Sequence, residues 1–474
     1  MASKGSLDIA RTQVGGEAID LGGFRQFVHR RALDKRVTWG VEIHADPGYP
    51  DSSFGLNLDS LVVLASFGLA LDDKNHPLAR SRPSLDSYQL MLDGENCFRM
   101  SRRSDGQLHV DELTPKFAKT LQGLYRYGNF SLVEPEDWSE AQLEQAILGM
   151  VAESRGLFPN VTRVDSDLKG IVDTLRNVLA RVRSAVEREL ERFSYLGPLR
   201  SYPPRHMAFA VQDDTNWVAG GGRAWDQMRR SKKLRDEVNT WLGSKERLQT
   251  PYNIALQRYI APITAHGAIG AGIDEILSKL NERDETAEDE DAPTEASPLD
   301  RDALIKLMTE KLLHNHDVEG DEDLVLVDMR TDTTVSHRDV GIGISQVLPV
   351  LVEAYGNKDR LVAIEQPEIH LHPRLQAELG DVFIESALGE RKNTFLLETH
   401  SEHLILRVLR RIRETAQGRL PAGLSPVRPE NVAVLFVVPD DGGSRIVEIP
   451  ISAEGEFTRP WPGGFFAERM KELY

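Results

Sequence analysis

The chain has 474 residues, 40% hydrophobic and 28% charged, with a formal net charge of −17. That is ordinary globular composition and gives an expectation of roughly two to four structural units. No apolar run of about 18 residues occurs to span a membrane as a helix, Met1 to Asp20 lack an apolar signal-peptide core, and the lone Cys97 excludes an internal disulfide and zinc-finger chemistry. A cytoplasmic protein is expected.

The acidity is partly local: Glu282 to Asp300 hold nine acids and one base. A strongly acidic protein is a poor general binder of nucleic acid. The densest basic stretch is Arg229-Arg-Ser-Lys-Lys-Leu-Arg235, and the ordinary fate of such a run is a solvated helix face.

Residues 17–115 read as β-rich, with short apolar or alternating runs at Val37–Ile43, Leu61–Ala65 and Ser87–Leu92 separated by glycine and proline. From Asp165 to Phe193 the pattern turns helical. Leu168, Val172, Leu175, Val178, Leu179, Val182, Val186 and Leu190 recur at steps of three and four, which makes one buried helical face. A proline-rich turn, Tyr195-Leu-Gly-Pro-Leu-Arg-Ser-Tyr-Pro-Pro-Arg205, follows. Residues 223–281 are expected to be mostly helical. The acidic stretch 281–298 has too few apolar residues to pack and is expected to be a disordered loop, with helix resuming over 301–313.

From Asp321 onward the pattern is α/β. Leu361–Ile364 and Thr394–Leu397 are continuous apolar runs, as strands buried on both faces of a parallel sheet require. Each is followed by a helical pattern, and Val432–Val438 and Ile446–Ile451 read as two further strands.

Three motifs carry the chemistry. The first, Asp339-Val-Gly-Ile-Gly-Ile-Ser-Gln346, is a glycine-rich turn opening a helix, where backbone N–H groups and a hydroxyl can approach a phosphate. The second, Leu361-Val-Ala-Ile-Glu-Gln-Pro-Glu-Ile-His-Leu-His-Pro373, is a strand ending in carboxylates. That is where ligands bind in open α/β sheets, and where a carboxylate can hold Mg²⁺ with water and phosphates completing the shell. The third, Thr394-Phe-Leu-Leu-Glu-Thr-His-Ser-Glu-His403, ends the next strand in a histidine.

In this order the motifs resemble the ABC-class ATPases, the family of SMC, RecF-like and overcoming-lysogenization-defect heads. More narrowly, they resemble bacterial AAA-annotated ATPases with a short C-terminal domain of unknown function. Asp20-Leu-Gly-Gly-Phe, Tyr195-Leu-Gly-Pro-Leu-Arg and Trp461-Pro-Gly-Gly-Phe-Phe resemble recurring segments of that group. The resemblance implies an α/β head with a parallel core sheet, an antiparallel β subdomain and a helical insertion. It divides the chain into a β-rich part (1–160), a helical arm (161–320), an ATPase lobe (321–420) and a small αβ tail (421–474).

It further implies ATP and Mg²⁺ as cofactors. Gly341, Gly343, Ser345 and Gln346 take the signature position that contacts the γ-phosphate across a dimer. Glu365 takes the Walker B metal position, Gln366 stands where a catalytic glutamate is usual, Glu368 is the candidate replacement base, and His400 matches the switch histidine. A glutamine orients a water but does not take its proton, as a carboxylate does. His370 and His372 fall in the D-loop.

The resemblance implies a homodimer or an ABC-type partner subunit, with DNA or an effector protein as target and a bacterial anti-phage defence or DNA-related setting. The chain after the third motif is too short for a Toprim nuclease. The Walker A loop Gly-x-x-x-x-Gly-Lys-Ser/Thr is missing, since no Gly-Lys dipeptide occurs. The expectation is that this loop belongs upstream of Met1, and that the chain as written binds ATP poorly. The alternatives are a non-catalytic pseudo-ATPase interaction module and, further off, a metalloenzyme built on His370, His372, His400, His403 and Glu368.

Overall fold

A computed structural model of the chain describes residues 24–44, 59–71, 83–128, 150–155, 158–161, 169–200, 219–245, 247–259, 321–337 and 340–461. The acidic loop 281–298 and the helix expected over 301–313 lie outside these residues.

The N-terminal part is an antiparallel meander. Strands β1 (Val37–His44), β2 (Ser60–Gly68), β3 (Ser84–Leu92), β4 (Glu95–Arg102), β5 (Leu108–Leu113), β6 (Val151–Arg155) and β7 (Phe158–Val161) pair in sequence order. β2 shows why: Leu61, Val63, Ala65 and Phe67 alternate inward with half-exposed neighbours, the period of a sheet with one buried face. Two helices cover that face, α2 (Pro115–Gly128) and α3 (Lys169–Glu191). Of the helical stripe read from the sequence, Val172, Leu175, Val178, Leu179, Val182 and Val186 are buried against the sheet with Tyr88, Phe98 and Phe117. A short α1 (Phe24–Phe27) packs Phe24 beside Val28 and Leu69.

A second core surrounds helix α6 (Ile342–Tyr355). Around it lie β8 (Phe193–Leu196), α4 (Gly222–Arg230), α5 (Lys232–Gly243), β9 (Tyr252–Tyr259), β10 (Asp321–Asp328), β11 (Thr333–Val335) and β12 (Leu361–Glu365). Helix α7 (Pro373–Leu388), strand β13 (Thr394–Glu398) and helix α8 (Glu402–Ala416) follow, then the hairpin β14 (Leu435–Asp440) and β15 (Gly443–Glu448). The α/β expectation holds, but the largest sheet is the antiparallel one. Parallel pairing among the described residues is confined to three strands in the order β13-β12-β8, with β12 central.

Two readings need correction. Tyr252–Tyr259 falls in the stretch expected to be mostly helical, yet it is a strand antiparallel to β10. Tyr252, Ile254 and Leu256 alternate along it, and the Asn239 side chain, reaching from α5, accepts from the Ile254 N–H and donates to its carbonyl. The basic run 229–235 is not simply a solvated face: the Arg235 guanidinium donates to the Met228 and Arg229 carbonyls and so caps α4. Arg230, Lys232 and Lys233 are exposed.

Helices α7 and α8 are pinned by buried charge. Asp381 accepts two hydrogen bonds from Arg411, at 2.7 and 2.8 Å, and a third from Arg407, which also reaches Glu378. Gly380 makes the approach feasible, because a Cβ there would lie 2.9 Å from Arg407 Cγ. Burial alone would raise the Asp381 carboxyl, but Arg411 and Arg407 more than offset it and hold it below the usual carboxylate range.

Candidate functional site

β12 and β13 run parallel with Glu365 opposite Glu398, so both apolar runs end in carboxylates at the same edge. The chain then turns sharply. Gln366 and His370 both adopt left-handed backbone, at φ 45 and 62, which costs a non-glycine residue on the order of 1 kcal/mol or more. The turn is held by the Gln366 N–H donating to the Glu398 carbonyl (2.8 Å), the Ile369 N–H to the Gln366 carbonyl (3.1 Å) and the Leu371 N–H to the Glu368 carbonyl (3.0 Å).

Glu368 joins the second motif to the third. It is buried, and its Oε1 accepts from the backbone N–H of His400 at 2.7 Å. Its Oε2 is buried without a partner. The His400 ring stays open, 72% exposed, with Nε2 3.4 Å from the Glu398 carboxylate; an exposed contact of this kind contributes little. Ser401 then caps α8, its Oγ accepting from the Leu404 N–H and donating to Gln376. His372 has the same structural duty at α7: its Nδ1 accepts from the Arg374 N–H, with Pro373 as the first helical residue.

The first motif opens α6 as its glycines suggest. Gly341 is the N-cap and supplies no side chain to the first-turn N–H groups. Gly343 lies against the turn after β12, where a Cβ would meet the His370 carbonyl oxygen at 2.9 Å. Gly341 and Ile342 are exposed and Gly343 is half-covered, whereas Ser345 and Gln346 are buried. The Ser345 hydroxyl donates to the His337 carbonyl at 2.7 Å, on the inner side of the helix. The outward-facing groups at this corner are therefore backbone rather than the serine hydroxyl.

Two residues the motifs did not select also stand at this site. The Tyr195 hydroxyl, on β8, donates to Glu365 Oε1 at 2.7 Å. Arg200 is buried and donates to the carbonyls of Gln346 (2.9 Å), Gln366 (3.0 Å) and Glu365 (3.3 Å). Burial pushes its pKa down to about 10, opposed by the charge of Glu368, so it remains a cation at neutral pH. The Tyr-Leu-Gly-Pro-Leu-Arg segment was the available signal, but these contacts span 146 to 170 residues and no local pattern reveals them.

The structure thus brings Glu365, Gln366, Glu368, His400, Gly343 and Gln346 to one corner and turns the Ser345 side chain away from its surface. Among the described residues, His370, His372, His400, His403 and Glu368 are not gathered into a metal-holding cluster, nor is any other group of three or more such side chains. Residues 227–405, which include all three motifs, match the family model described as AAA ATPase domain.

Over that segment the chain is similar to AAA ATPase domains.

The matched segment contains α5, β9, β10, β11, α6, β12, α7 and β13 among its described elements. The chain is also similar to a solved structure, "Crystal structure of the SmcHead bound to the C-winged helix domain of ScpA". The TM-score is 0.32 and the identity 7%, covering 88% of this chain and 75% of that one. No curated protein matches the chain. No helix among the described residues is long and apolar enough to cross a membrane.

Proposed function

We propose that residues 339–403 form the signature, Walker B and switch-histidine half of an ABC-class ATP-hydrolysing head. The observation that carries this reading is the junction at Glu368: a buried carboxylate from the turn after β12 holds the His400 backbone at the tip of β13. The α6 N-terminus meets the same turn at Gly343. A developing charge at the strand tips would meet uncapped N–H groups, an exposed imidazole and a carboxylate-bound metal.

In this reading Glu365 holds Mg²⁺. The residues fit, because one strand-tip carboxylate with phosphates and waters is an ordinary Mg²⁺ shell, whereas a zinc site needs a side-chain cluster that the described residues do not form. The metal would neutralise charge between phosphates. His400 reaches the γ-phosphate, and the backbone of Gly341 to Gly343 contacts the phosphate of a second protomer. Glu368 orders the His400 turn, and its Oε2, buried without a partner, would accept from the attacking water once the assembled site admits one. Gln366 orients that water. A DNA-linked or anti-phage setting belongs to the same reading, with Arg230, Lys232 and Lys233 as the exposed cations to test by salt-dependent DNA retention.

The phosphate-gripping loop is not recognisable in this sequence, and in this reading it is supplied by a further strand. Among the described residues nothing pairs with the outer edge of β13. An unpaired strand edge is a template for another strand, so this edge suits an added one. The test supplies the loop and its strand, fused ahead of residue 1 or as a separate polypeptide, and measures ATP hydrolysis. Glu365→Ala and His400→Ala should abolish turnover while the far-ultraviolet circular dichroism is unchanged. Wild-type turnover in either variant overturns the assignment. If the completed wild type does not turn over ATP, the pseudo-ATPase reading stands instead.

A further inference from the structure

Glu365 stands at the end of a strand, where a glutamate carboxylate turns about every bond of its side chain and has no neighbour on its own strand to fix it. Its orientation comes from β8. Tyr195 pairs with Ala363, two residues before the carboxylate, and its hydroxyl reaches Oε1 at 2.7 Å. Among the described residues the carboxylate has no other side-chain partner, which leaves Oε2 for a ligand.

The backbone of Glu365 is fixed separately. Five residues beyond Tyr195, after the Gly197-Pro198 bend, the exposed Leu199 is followed by Arg200 at 5% exposure. Its fork spans two segments: one arm holds the Gln346 carbonyl in the first turns of α6, and the other holds the Glu365 and Gln366 carbonyls. Nε is buried without a partner. Among the described residues no carboxylate hydrogen-bonds this cation. A buried guanidinium spent on three neutral carbonyls is a poor way to gain stability. It is an effective way to fix two backbone segments at a set spacing, which the planar fork of arginine does and a lysine ammonium does not.

We propose that Tyr195 and Arg200 are positioning residues for Glu365, the tyrosine fixing its carboxylate and the arginine fixing its backbone against α6. The metal ligand and the phosphate-facing helix end are thereby set in one frame. The proposal rests on the reading of Glu365 as the metal ligand, and the experiment separates the two.

The chain completed by the phosphate-gripping loop and its strand is titrated with preformed Mn²⁺·ATP, and the bound complex is measured by equilibrium dialysis against a protein-free compartment. Wild type is compared with Glu365→Ala, Tyr195→Phe, Arg200→Lys and Arg200→Met. Partners that orient a metal ligand are worth roughly 10- to 100-fold in metal affinity, so Tyr195→Phe and Arg200→Met should each weaken Mn²⁺ by that factor, with Arg200→Lys failing to restore it. Hydrogen exchange of the ligand-free protein should quicken in Arg200→Met over 342–348 and 364–371 together. Tyr195→Phe should leave the melting temperature near that of wild type, which keeps the test informative even if Arg200→Met does not fold. Wild-type binding no tighter than in Glu365→Ala removes the metal reading and the proposal with it. Tight wild-type binding that both Tyr195→Phe and Arg200→Lys retain leaves the metal reading intact and overturns the positioning roles.

Discussion

Neutralising Asp381 tests how the two strand tips are held in register. The side chain is 3% exposed and carries the bidentate fork of Arg411, itself 9% exposed, together with one arm of Arg407. Removing one partner of a buried pair costs about 3–5 kcal/mol because it strands the opposite charge. Here the stranding is incomplete, since Arg407 keeps Glu378 and Arg411 keeps Glu414. An asparagine also preserves one acceptor, so Asp381→Asn should cost about 2–4 kcal/mol. The loss falls on the α7–α8 contact, so the assay is local hydrogen exchange over 373–388 and 402–416. At tenfold per 1.4 kcal/mol, exchange there should quicken roughly 30- to 1000-fold. The effect also has a pH window. The folded carboxyl sits below its usual value, so its contribution is complete above an unfolded value near ~3.9 and is lost as pH falls through the lower, folded one. Wild type and variant should therefore differ by a constant amount above pH ~5 and converge in stronger acid. A change in exchange under about fivefold at neutral pH would mean that apolar packing, not this ion cluster, holds α7 to α8.

Three further outcomes follow from other contacts. Gly343→Ala adds about 1 kcal/mol of helix propensity but places a Cβ 2.9 Å from the His370 carbonyl oxygen, an overpacking of about 1–3 kcal/mol. The melting temperature should fall slightly, while Mn²⁺·ATP binding falls much more. Ser345→Ala removes the hydrogen bond to the His337 carbonyl and should cost about 1–2 kcal/mol in urea unfolding. It should leave Mn²⁺·ATP binding at the wild-type level, and a large binding defect would show that the serine turns outward to a ligand. Leu348→Ala, at a fully buried position of the second core, should cost about 2–5 kcal/mol by the same urea measurement.

The parts of this protein legible in its sequence are those written in short range. Leu361–Ile364 reads as a buried parallel strand because both its faces are covered, and Val172 to Val186 reads as a helix because one stripe faces a sheet. Glu365, Glu368 and His400 are legible because they follow such strands directly. The direction of a side chain within a motif is not legible. Ser345 stands in the glycine turn in sequence, but one more step around the helix points it at His337. His372 reads as a D-loop residue and serves as a helix cap. Tyr195 and Arg200 gain their meaning only when β8 docks beside β12, and β9 becomes a strand only because β10 lies across from it, more than sixty residues later.

Among the described residues one edge of β13 is unpaired, and this has a practical consequence for handling the protein. A parallel strand offering free N–H and C=O groups beside an exposed leucine is a template for stacking against any other polypeptide with a similar rim. Expression yield and clarity of solution should then depend on whether the added strand proposed above is co-produced as a neighbour. Precipitation of the lone chain, relieved by that neighbour, would report on fold completion before any nucleotide is added.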